Sequence, residues 1–258
     1  MAESILKNKK NRLFIFLGAF FITNALIAEF IGVKIFSLEK IFSFKPVNWS
    51  VFGQEGLSFN LTAGVLLWPV VFVMTDVINE YFGEKGVRYL SNLAVGLIAY
   101  GFLMFFLGIN LPPADFWIGV KQAAGVPNYN DAYKAVFGQG LWIIIGSIVA
   151  FLVGQIVDVK IFQRIKRITG DKKVWLRATG STLVSQFIDS FIVLFIAFYI
   201  GGNWPLSLVL AIGVVNYIYK FTMAILLTPV IYFAHNRIDA YLGEETAEQL
   251  KKEALDKK

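Results

Sequence analysis

Six stretches of this chain, residues 13–36, 57–75, 89–109, 141–157, 174–200 and 205–234, are almost wholly apolar. At about 1.5 Å per helical residue, each is close to the length that crosses a hydrocarbon layer roughly 30 Å thick. Buried helices of a large soluble protein are the competing account. That account fails on supply: 57% of the 258 residues are hydrophobic and only 16% charged, too little polar sequence to cover six such helices. The expected fold is an all-α integral membrane protein, a single transmembrane domain over 1–258. Its six transmembrane helices are expected over about 13–36, 57–80, 89–109, 141–163, 174–200 and 205–234, with a cytoplasmic tail at 236–258.

The net charge of +6 is distributed unevenly. Lys7, Lys9, Lys10 and Arg12 precede the first run, and Lys85 and Arg88 join the second to the third. Lys160, Arg164, Lys166, Arg167, Lys172, Lys173 and Arg177 join the fourth to the fifth, and Arg237 follows the sixth. The opposite loops hold only Lys34, Lys40, Lys45, Lys121 and Lys134. Positive charge near helix ends marks the cytoplasmic side, so both termini are expected there. The basic excess is thus a topology signal, and no nucleic-acid partner is expected. The first apolar run is too long for a secretory signal and reads as an uncleaved helix. Cysteine is absent, which excludes disulfides and thiolate metal sites.

The outward loops 37–56 and 110–140 contain Pro46, Pro112, Pro113 and Pro127 and read as irregular, with a short helix at "NDAYKAVFGQ". The polar tail reads as a frayed cytoplasmic helix. "AEFIGVKIF" (28–36) matches "GQIVDVKIF" (154–162), which allows a three-plus-three inverted repeat. Pro69 and Pro229 do not correspond between the halves and count against it; Pro69 is expected to kink helix 2.

Polar residues inside the runs carry the chemistry. Asp189 falls at the centre of helix 5 and Lys220 at the centre of helix 6, where a charge costs about 2.5–3.5 kcal/mol on insertion scales. Each neutralises the other, as a structural pair, or a ligand does. Gln186 and Asp189 share one helix face, and Gln155 and Asp158 repeat that spacing in helix 4. Arg177, Ser181, Ser185 and Asp189 recur every four residues as a polar stripe. The two serines also suit close helix packing, and Arg177 an interfacial position. Asp76, Asn79 and Glu80, with Thr75, cluster near the cytoplasmic end of helix 2, where Glu80 also suits a solvated end. Asn216 and Lys220 share a face of helix 6. Asn24 is central in helix 1, about 140° around from Glu29. His235 reads as interfacial.

The substrate-binding candidates are therefore Asp76, Gln155, Asp158, Gln186, Asp189, Asn216 and Lys220. Asn24, Thr75, Asn79, Glu80, Arg177, Ser181 and Ser185 are supporting candidates. No phosphate loop, HExxH or GxSxG pattern is present, and one histidine without cysteine makes no zinc centre, so no enzyme, metal or cofactor is expected. A flat, neutral heterocycle suits the inventory. Its N–H donors meet carboxylates, its acceptors meet Gln, Asn or Lys, and its faces meet aromatic rings. The diversity of polar groups favours a small-molecule transporter over an ion channel.

"TDVINEYFG", "GQIVDVKIFQRIK", "RATGSTLVSQFIDSFIVLFIAF" and "VNYIYK", in this order over about residues 68–233, resemble the vitamin uptake transporter family, whose members are queuosine-precursor transporters. The resemblance implies a six-helix bacterial inner-membrane protein importing 7-deazaguanine precursors, the cyano or aminomethyl form. It maps family motif residues onto Thr75, Asp76, Gly154, Gln155, Asp158, Phe162, Ser181, Thr182, Asp189, Ala197, Phe198 and Lys220. Departures at Gln186 and Glu80 weaken the carry-over there. The competing readings are a substrate-binding subunit of an energy-coupling-factor importer and an intramembrane enzyme or scaffold. Energy coupling and oligomeric state, a homo-oligomer included, stay open.

Overall fold

The computed structural model describes residues 7–170 and 173–256; Lys172 and the ends of the chain lie outside the described residues. Among the described residues, five helices are long and apolar enough to cross a membrane. The first, α1 (Lys9–Ile31), is capped by the Asn8 side chain, which accepts from the Lys10 N–H. It ends five residues short of the expected boundary. Beyond it, residues 35–62 are built from short strands: β1 (Ile35–Ser37) pairs antiparallel with β4 (Asn60–Thr62), and β2 (Trp49–Val51) with β3 (Gln54–Leu57). This outward segment is therefore ordered β structure where an irregular loop is expected. The Glu39 carboxylate pins it, accepting from Phe59 N–H at 2.8 Å and Ser37 Oγ at 3.0 Å.

Helix α2 (Trp68–Asn110) begins eleven residues later than residue 57, because Pro69 occupies its first turn, where a missing N–H costs nothing. The kink expected at Pro69 is absent; the break comes instead at Gly83, with φ 70° and ψ −174°. Here the helix doubles back. Thr75 and Ser91, eight residues either side of Gly83, both reach Gln155 Oε1, at 3.1 and 3.5 Å. In a straight helix they would stand about 24 Å apart. The first arm of α2 thus runs antiparallel to the second. The second lies parallel to α1, with Phe14 beside Gly86 and Phe30 beside Gly101.

Next come α3 (Tyr129–Phe137), where a short helix is expected, and α4 (Leu141–Thr169). Helix α5 (Val174–Leu194) continues as a π-helical turn over Phe195–Ile200. Helix α6 (Leu206–Leu226) breaks at Leu227, about two turns before the expected end, and α7 (Thr228–Leu242) restarts with Pro229 in its first turn. The "VKIF" match does not carry over into shape: Ile35 and Phe36 lie in β1, whereas residues 159–162 are helical.

The core joins Leu17 and Phe21 of α1, Val71, Ile78, Leu90 and Ala94 of α2, and Phe151 of α4. The polar tail is not frayed. Helix α8 (Glu244–Asp256) packs Ala247 and Leu250 into this core and buries Ala254 beside Gly83. Lys10–Glu253 at 3.0 Å and Lys251–Asp239 at 2.7 Å hold its C-terminal half down.

Candidate functional site

Helix α5 presents a side chain to a neighbour on each successive turn, as its four-residue stripe dictates. Arg177 Nη2 donates to Glu80 Oε1 at 2.8 Å. One turn on, Ser181 Oγ lies 3.5 Å and Thr182 Oγ1 3.3 Å from the Asp76 carboxylate. A turn further, Ser185 Oγ lies 3.0 Å from Asp158 Oδ1. Last, Asp189 is ion-paired with Lys220 of α6. The supporting stripe is thereby drawn onto two arms, α2 and α4, and onto α6.

Behind this ladder, α2 and α4 are fastened directly. Gln163 Nε2 donates to Asn79 Oδ1 at 2.6 Å. Lys166 Nζ donates to Glu80 O at 2.9 Å and stands 3.3 Å from Glu80 Oε1. Glu80, Lys166 and Arg177 are at most 1% exposed. Glu80 is therefore no solvated helix end, Arg177 no interfacial residue, and Lys166 no loop cation. His235 is likewise buried rather than interfacial, its Nδ1 3.2 Å from Tyr81 Oη. Burial holds this imidazole's pKa down to about 4, against the opposing pull of the Glu80 carboxylate.

Between the first arm of α2, α5 and α6 lies a cleft of about 450 Å³ counted out to its mouth. Asp76, Thr179, Thr182, Gln186 and Lys220 give it polar groups; Trp68, Pro69, Phe72 and Ile231 are among its apolar walls. Little of it is wide enough for a water molecule. The Gln186 side-chain N–H₂ is buried with no hydrogen-bond partner, a costly state for an amide. Gln155, just behind, accepts through Oε1 from Thr75 and Ser91, and its own N–H₂ is also unpartnered.

Of the expected binding residues, the structure brings Asp76, Gln186 and Lys220 to the cleft. Asp189 stands behind Lys220, while Gln155 and Asp158 form a second row. Asn216 is half-buried and lies outside the cleft lining. Asn24 bonds its own helix, donating to Phe20 O at 2.8 Å, and joins no part of the site. The sequence reading passed over Trp68, Phe72 and Thr179 as lining residues, and Lys166 as a buried cation. Only Thr179 carried a signal, standing on the Thr182–Gln186 face of α5.

Residues 62–234 match the family model described as "Putative vitamin uptake transporter". A Bacillus subtilis (strain 168) protein named "Probable queuosine precursor transporter" is 31% identical over 189 residues, 70% of this chain and 75% of that protein. The Escherichia coli (strain K12) "Queuosine precursor transporter" is 26% identical over 175 residues, covering 66% of this chain and 70% of its own. No solved structure matches. With the matched segment spanning the first arm of α2 through α6 and every residue of the cleft, the chain belongs to the vitamin uptake transporter family.

Proposed function

We propose that the chain is a multi-pass inner-membrane importer of queuosine precursors, 7-cyano- or 7-aminomethyl-7-deazaguanine, and not an enzyme. Six crossings follow from reading the two arms of α2 as separate spans, which returns Lys85 and Arg88 to the end that holds Lys9 and Lys10. Both termini are then cytoplasmic by the positive-inside rule. The crossings divide into three and three of opposite sense, the arrangement of an inverted repeat.

The observation that carries the reading is the buried, unpartnered Gln186 amide, which shares the cleft with Asp76 and Lys220. A guanine-like edge offers paired N–H donors to the Asp76 carboxylate and a carbonyl acceptor to Gln186. Its flat faces suit Trp68 and Phe72. Lys220, held by Asp189, keeps a second donor at the cleft and balances charge. The break at Leu227 places a flexible joint at the inner end of α6, where the lining must move.

Equilibrium binding of labelled precursor to detergent-purified protein tests this. Asp76→Asn and Gln186→Ala each remove a hydrogen bond to the base, charge-assisted for Asp76, and weaken binding by about 10- to 100-fold. Asp189→Asn strands Lys220, and uptake collapses although the protein still inserts. Wild-type protein that binds neither precursor, or variants that bind as wild type does, would refute the reading.

A further inference from the structure

Around the cleft, Asp76 of α2 and Asp158 of α4 are the carboxylates with no cation within salt-bridge reach among the described residues. Each is at most 1% exposed. The other charged groups on the packed elements are engaged elsewhere. Glu80 is held by Arg177 and Lys166 and Asp189 by Lys220, while Glu29 of α1, which also has no cation in reach among the described residues, meets Ser147 away from the cleft lining. Two uncompensated charges at this depth are costly, and the carboxylates also repel each other.

The hydroxyls around the pair point to how the charge is relieved. Ser185 Oγ lies 3.0 Å from Asp158 Oδ1 and 3.1 Å from the Thr182 carbonyl. Ser181 Oγ is placed likewise, 3.5 Å from Asp76 Oδ1 and 3.1 Å from the Ala178 carbonyl. A hydroxyl has one proton to donate and two lone pairs to accept with. Both Ser185 contacts are full hydrogen bonds only if Ser185 donates to the carbonyl and a protonated Asp158 donates to Ser185. Asp158 Oδ2 supplies a separate indication, being buried with no hydrogen-bond partner among the described residues. As an ionised oxygen it would carry charge with no partner.

We propose that Asp76 and Asp158 bind a proton that is imported together with the base. The proposal rests on the import reading above. The proton joins the pair from the outer solution while the cleft is open outward, and leaves to the inner solution after the helices have switched. One proton and one base cross per cycle, and no other bond is made or broken. Asp76 belongs both to the pair and to the cleft lining, so occupancy by the base and by the proton meet at one carboxylate.

The test uses the purified full chain in liposomes without ATP, clamped at zero membrane potential, with labelled 7-cyano-7-deazaguanine. An inward gradient of one pH unit should drive about tenfold accumulation for one proton per base, abolished by a protonophore. A pH dye outside weakly buffered vesicles should report about one proton taken up per base. Asp158→Asn should lower that ratio toward zero whatever its rate. Uptake that stops at equal concentrations despite the pH gradient overturns proton coupling and leaves the import reading standing, as does accumulation driven by a sodium gradient without proton movement. A wild-type chain that neither binds nor moves the base overturns both.

Discussion

Replacing Glu80 by glutamine tests whether the inner end of the bundle is held by a dehydrated ion cluster. Glu80 Oε1 lies 2.8 Å from Arg177 Nη2 and 3.3 Å from Lys166 Nζ, and the three side chains are 0–2% exposed. Glutamine keeps the shape and still accepts a hydrogen bond from Arg177, so packing is nearly conserved and the lost charge is the perturbation. It leaves two cations in a dry site without their shared carboxylate. Breaking a buried ion pair in this way costs about 3–5 kcal/mol, against about 0–1 kcal/mol for a solvated one. For a chain of this size that corresponds to a fall in apparent melting temperature on the order of 10 °C. The assay is thermal unfolding in detergent, followed by tryptophan fluorescence and by the monodisperse fraction. Adding Lys166→Met to Glu80→Gln should recover part of the loss, because one buried positive charge is removed with it. A Glu80→Gln protein melting within about 2 °C of wild type, or a double variant no better than the single, would refute a dehydrated cluster.

Two further outcomes follow from the same end of the molecule. Gly83→Ala must hold a side chain at φ 70°, ψ −174°, a conformation essentially confined to glycine that costs about 1–3 kcal/mol, and its Cβ would stand 2.8 Å from the Ala254 carbonyl oxygen. Melting temperature should fall, and deleting residues 244–258 from both proteins should narrow the difference between them; an unchanged difference argues against the α8 contact. His235, buried outside the spans with its pKa held to about 4, stays neutral in the fold while the unfolded chain protonates near pH 6.5. Its contribution, about 3 kcal/mol at most, is complete above pH 6.5 and is lost as pH falls toward 4. His235→Gln should therefore flatten the drop in melting temperature between pH 7.5 and pH 4.5, and an unflattened drop excludes His235 as its source.

The spans were legible because missing charge is a bulk property, readable without knowing what touches what. Asp189 and Lys220 were legible for a related reason: each sits at the middle of its own run, in neighbouring runs, and each needs the other or a ligand. The inner cluster was not. Lys166 lies in a dense basic stretch whose members Lys160, Arg164, Arg167 and Lys173 are exposed, and the turn at Gly83, which seats α8 beside it, brings the Lys251 carbonyl over this one. Its partner Glu80 is 86 residues away, and Tyr81 and His235 are 154 apart, distances over which spacing conveys nothing. The tail did carry a signal, Ala247, Leu250 and Ala254 at helical spacing, but a charge-rich background hid a stripe only three small residues wide. Strands β1–β4 are three or four residues each, too short for an alternation to stand out.

The bond lengths along α5 say where such a bundle can open. At the inner end Arg177 holds Glu80 at 2.8 Å, and in the second row Ser185 holds Asp158 at 3.0 Å. Between them the two hydroxyl contacts to Asp76 are the longest, 3.3 and 3.5 Å, near the limit at which such a contact counts as a hydrogen bond. Asp76 is also the ladder residue of α2 that faces the cleft. A base that takes over this carboxylate therefore displaces the weakest bonds in the ladder, while the short contacts on either side keep α2, α4 and α5 in register. Contact between α2 and α5 is weakest at the carboxylate where the proposed recognition and the proposed proton coincide.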